Sequence, residues 1–260
     1  MTEAPTKPRA PASAPGGPGA SVGKRKARGP LRRWLTRRHD PLTSLVLTIP
    51  VFLVYHLGIL VMDIRNGVDL VSTLTFELLE RSVLAYVGVT VGFAIGLAVA
   101  FYVLREKGKV KPTAFLPVIG ESVLLAVAML FTVGWATQQL VGAQIGPRAL
   151  GPLEKLVMAA GAGFHEELVF RVLLFGGGAL ALERFAKWSP VRAGVAAALA
   201  SSLVFSGIHY VGSLGDPFSI VSFTFRALAG LYLVAVFRWR GFAVAVYTHA
   251  IYDLIVFFLR

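Results

Sequence analysis

The chain has no cysteine among its 260 residues, so disulfides, thiolate metal ligands and a thiol nucleophile are excluded. It is short of acid, with 14 Asp and Glu against 26 Lys and Arg. It is short of charge altogether, at 15%, where soluble domains carry about 25%. With 55% hydrophobic residues and a mean hydropathy of +0.68, a soluble globular domain is excluded and a polytopic membrane protein is indicated. Two hydrolase signatures are also missing. No serine stands in a nucleophile elbow. His165-Glu166 begins like the zinc-protease His-Glu-x-x-His motif, but position 169 is Val. No internal repeat is visible.

What is present divides by position. The net charge of +12 could suggest nucleic acid, but most of the excess lies in residues 1–40. That stretch is rich in Pro, Ala and Gly and carries Lys24, Arg25, Lys26, Arg28, Arg32, Arg33, Arg37 and Arg38. It cannot bury a core and reads as a basic disordered cytoplasmic tail. Anionic membrane lipid is its expected partner, and nucleic acid is not. The rest holds seven apolar runs, at about 42–62, 82–104, 115–140, 156–182, 193–210, 218–237 and 242–259. Each is long enough to cross or nearly cross a bilayer. The expected fold is all-α, a polytopic bundle of about seven transmembrane helices. Residues 41–149 would be accessory helices and 150–260 the catalytic core. Gly88, Gly92 and Gly96 form a small-residue stripe suited to close helix packing. His56 reads as a hydrogen-bonded helix contact, and Arg238-Trp239-Arg240 as a short basic turn. Basic and non-basic loops alternate, which puts the N-terminus in the cytoplasm. High Arg and Ala content points to a high-GC bacterial genome, and a multi-pass helical protein of such a cell is expected in the inner membrane.

The fourth run contains Glu166, Glu167 and Arg171. Each charge at membrane depth costs roughly 2.5–3.5 kcal/mol, so an intramembrane cluster marks a functional site by default. Glu167 and Arg171 are four apart and can pair. Glu166 lies about 100° round an α-helix from Glu167, which leaves it free to face a cavity. The fifth run ends Phe205-Ser206-Gly207-Ile208-His209, and the seventh carries His249 and Asp253 on one face. At about 1.5 Å per residue, Glu166, Asp253 and Arg226 come to similar depths, roughly 10–13 Å in from the outer face, with His209 shallower.

Glu166-Glu167-x-x-x-Arg171, Phe205-x-x-x-His209 and His249-x-x-x-Asp253 resemble the three motifs of the CPBP intramembrane proteases. This family includes the Rce1-like CaaX prenyl endopeptidases and bacterial bacteriocin-processing or immunity homologues; the myxosortase-like branch is one candidate. The resemblance covers about residues 150–258. It implies an intramembrane endopeptidase of glutamic type acting on a protein or peptide substrate with a membrane segment. By motif position, Glu166 and His209 would activate the attacking water. His249 and Asp253 would bind the oxyanion or position the substrate, with Glu167, Arg171, Phe205 and Arg226 in support. The family commonly has Asn where this chain has Asp253. An aspartate there is protonated, or orients His249, or binds a metal. No cofactor is expected; the alternative is zinc on Glu166, His209 and His249. Two other classes share these residues: a non-catalytic peptide-binding or immunity protein, and a transporter or proton relay.

Overall fold

The computed structural model describes residues 40–62, 64, 66, 83–105, 110–141, 150–212 and 215–259, all within one compact unit, Arg38–Arg260. Among these residues the secondary structure is helical throughout. Helix α1 is Pro41–Val61, α2 is Val83–Leu104, and α3 is Phe115–Val141, entered through a 3₁₀ turn at Pro112–Ala114. Helix α4 is one rod in three consecutive parts: Pro152–Gly161 and Gly178–Arg184 are α-helical, and Ala162–Gly177 between them is wound as a π-helix. Helix α5 is Pro190–Ile208, α6 is Ile220–Arg240 and α7 is Phe242–Leu259. Five of the seven, α1, α3, α5, α6 and α7, are long and apolar enough on their own to cross a membrane. This is a multi-pass membrane protein, with the all-α bundle expected from the apolar runs.

The ends follow local chemistry. Asp40 caps α1, accepting from the Thr43 amide at 2.9 Å and its hydroxyl at 2.7 Å, with Pro41 next in the first turn. Burial alone would raise the Asp40 carboxyl, but these two hydrogen bonds hold it below its ordinary value. Helices α5 and α6 start on Ser189 and Ser219, whose hydroxyls accept from Arg192 and Ser222 amides.

Helix α7 is the hub. It packs against α1, α3, α4 and α6, and every residue from Ala243 to Ala250 is buried. It comes close to the backbone of α4 at Gly163. A Cβ there would stand 2.8 Å from the Val246 carbonyl oxygen and 2.8 Å from the Ala250 Cβ. That missing side chain brings the charged segment of α4 against the part of α7 that carries His249.

Two expectations are corrected. The glycine stripe of α2 is not a packing face: Gly88, Gly92 and Gly96 are exposed, with nothing within 4 Å of an added Cβ. Helix α2 packs chiefly on α1 through other residues. Arg238-Trp239-Arg240 is not a turn either. Helix α6 runs through Arg240, because Arg240 is buried in an ion pair with Glu121 of α3. The chain reverses instead at Gly241, whose φ of 97° suits only glycine and whose amide donates to the Phe237 carbonyl at 2.9 Å.

Candidate active site

The π-wound part of α4 holds every charge of that helix's membrane-depth stretch. π-Helix is rare and is found disproportionately at functional sites. Here it carries Glu166, Glu167 and Arg171, all buried. Glu167 is fully buried and has two partners. Its Oε2 lies 3.2 Å from Arg171 Nε, the expected pairing four residues on, and its Oε1 accepts from His249 Nδ1 at 2.8 Å. The Arg171 guanidinium also lies over the Phe205 ring, 4.5 Å from its centroid, a favourable stack for a cation out of water. Glu167, Arg171, Phe205 and His249 thus lock α4, α5 and α7 together.

Glu166 has other partners. Its Oε1 accepts from the side-chain amide of Asn66 at 2.8 Å. Its Oε2 is 3.8 Å from His249 Nε2, and Asp253 Oδ2 is 3.7 Å from the same nitrogen. His249 therefore has three carboxylates within 4 Å, one in hydrogen-bond contact and two just beyond it.

His209 follows the last turn of α5. Its Nδ1 lies 2.7 Å from the Phe205 carbonyl. A carbonyl can only accept, so this nitrogen carries the proton and Nε2 of the neutral ring is an acceptor. Phe205 sits between the two imidazoles, its centroid 5.1 Å from that of His209 and 6.1 Å from that of His249. His209 is half-buried and within electrostatic range of Glu166, Arg226 and His249. Arg226 stands one layer away. It pairs with Asp216 at 2.6 Å and lies over the Tyr210 ring. The Asp216 amide donates to the His209 carbonyl at 2.8 Å, so Arg226 and Asp216 fold the loop after α5 back onto His209.

The structure brings together Glu166, Glu167, Arg171, Phe205, His249 and Asp253 by contact. His209 joins through Phe205, and Arg226 through Asp216. Among the described residues no three His, Asp or Glu side chains are grouped to hold a metal ion.

Sequence reasoning missed a second flank. Asn66 reaches Glu166 from beyond α1, and its backbone amide donates to the Tyr55 hydroxyl at 3.1 Å. His56, the expected helix contact, meets His165 with 3.2 Å between their Nε2 atoms. Both rings are buried against Tyr55. His165 lies in the quoted motif, and a polar residue in an apolar run flags His56. Asn66 carries no such signal.

No curated protein and no solved structure matches this chain. Residues 149–255, which hold all three motifs, match the family described as type II CAAX prenyl endopeptidase Rce1-like. That segment is similar to the Rce1-like family.

Proposed function

We propose that this protein is an intramembrane endopeptidase that hydrolyses a peptide bond of a membrane-associated substrate with a water activated by Glu166. One observation carries the reading: Glu166 is a buried carboxylate with one oxygen tied to Asn66 and the other turned toward His249 Nε2, which Asp253 also approaches. The 3.8 Å between Glu166 Oε2 and His249 Nε2 exceeds a direct hydrogen bond, and one water can touch both groups. Glu166 Oε2 takes the proton of that water as it attacks the carbonyl carbon. As the C–N bond breaks, Glu166 gives that proton to the leaving amine, while His209 Nε2, an acceptor in the tautomer fixed by Phe205, holds the water's other O–H during the attack. His249, when protonated, donates Nδ1–H to Glu167 and offers Nε2–H to the oxyanion. Asp253 orients His249. Of the roles open to an aspartate in place of Asn, this one fits its 3.7 Å approach to Nε2. The reaction proposed needs no metal.

The name of the matched family supports a substrate with a lipid-held C-terminal segment. His209 follows the end of α5 opposite to the basic 183–192 loop. Under the positive-inside rule the site then opens toward the outer half of the membrane. An exported or single-span bacterial protein trimmed near its C-terminal anchor fits that placement. Comparing membrane proteomes of cells making wild-type and Glu166→Ala protein tests the reading. An uncut precursor should accumulate with the variant at unchanged expression. Identical proteomes, or a loss of ion-coupled flux instead, would contradict it.

A further inference from the structure

We infer that Asn66, delivered from beyond α1, is a positioning residue that decides which oxygen of Glu166 meets the reacting water. This rests on the reading of Glu166 as the base and adds a component outside the matched segment 149–255. A carboxylate has two oxygens, and a free glutamate exchanges them by rotating its last torsion, which is broad and roughly two-fold. Asn66 removes that freedom. Its Nδ2 donates to Oε1 at 2.8 Å in a buried contact, and Asn66 is itself only 6% exposed. Oε2 is then the oxygen left on the His249 side, at 3.8 Å.

Asn66 is in turn held. Its amide donates to the hydroxyl of Tyr55, which is fully buried. Tyr55 is packed so closely on α4 that a Cβ on Gly161 would lie 2.5 Å from its ring. The line runs Gly161, Tyr55, Asn66, Glu166, so the first membrane helix sets the catalytic carboxylate of the fourth. A neutral amide suits the task. It donates to the carboxylate without adding charge, whereas Lys or Arg there would compete with water for the same electrons. Outer-shell partners that orient a reactive group typically matter by 10–100-fold.

Two measurements on the full chain in detergent test this. The first is a double-mutant cycle on thermal unfolding with Asn66→Ala, Glu166→Ala and the pair. The shifts in melting temperature should be non-additive, the pair falling less than the sum of the singles. Additive shifts would overturn the contact whatever the protein catalyses. The second is cleavage of an internally quenched S-farnesyl peptide ending in Cys-aliphatic-aliphatic-X, with membrane-proteome precursor levels as the parallel readout. Asn66→Asp keeps the shape but replaces the donor by an acceptor. It should lower kcat about 10–100-fold with KM unchanged, and Asn66→Gln should recover part of the loss. A raised KM at constant kcat would make Asn66 a substrate contact and overturn the positioning role. Wild-type protein that cleaves neither the peptide nor any precursor would instead overturn the endopeptidase reading, while the unfolding cycle still decides the contact.

Discussion

Glu166 and Glu167 are neighbours with different partners: Asn66 holds one oxygen of Glu166. Glu167 spends both oxygens on Arg171 and His249. Removing one member of a buried ion pair leaves the other uncompensated and costs about 3–5 kcal/mol. Arg171→Met should therefore lower the unfolding temperature strongly, measured by thermal unfolding in detergent. Arg171→Met with Glu167→Gln should recover part of the loss, and an unchanged temperature in the single variant would show that the pair carries no stability. Glu167, Arg171, His249 and Asp253 were legible as pairs because spacing of four on a helix puts side chains on one face. Asn66, His56 and His165 were not, since their partners lie 100 or 109 residues away in sequence and no helical periodicity records such a meeting. Asp216 escaped for the same reason: it lies in a loop whose path over His209 depends on the fold.

At the scale of the helix, hydropathy located the rods well, because bilayer thickness fixes the length of an apolar run. Their mutual approach was less legible. The periodic glycines of α2 face outward, while the isolated Gly163 of α4 makes the close contact with α7. A stripe states where two backbones can meet and not whether a partner comes. Gly163→Ala puts a methyl against backbone atoms that cannot move aside, at a cost of about 1–3 kcal/mol, and should separate Glu167 from His249. Gly92→Ala should be nearly neutral. Unfolding temperatures of the two variants side by side check this, and equal effects would contradict the packing described. The π winding of α4 also left no trace in the residue pattern. It differs from α-helix in hydrogen-bond register, whereas hydropathy reads only which residues are apolar.

Across the whole molecule, α7 gathers α1, α3, α4 and α6 round the site. The region before the matched segment therefore takes part in the site through Tyr55 and Asn66. The buried Arg240–Glu121 pair ties α6 to α3. The absence of cysteine makes orientation directly measurable. A single cysteine at Lys187 should react with an impermeant maleimide only from the cytoplasmic side, and one at Pro217 only from the opposite side. The reverse pattern would turn the site toward the cytoplasm.

The decisive measurement is cleavage of the S-farnesyl peptide by purified protein in liposomes with a chelator present, comparing wild type with Glu166→Gln. Wild type should cleave, and the isosteric variant should fold equally well yet turn over about 10²–10⁴-fold more slowly, the contribution of a general base. Undiminished cleavage by Glu166→Gln would contradict the assignment of that carboxylate as the group that activates water.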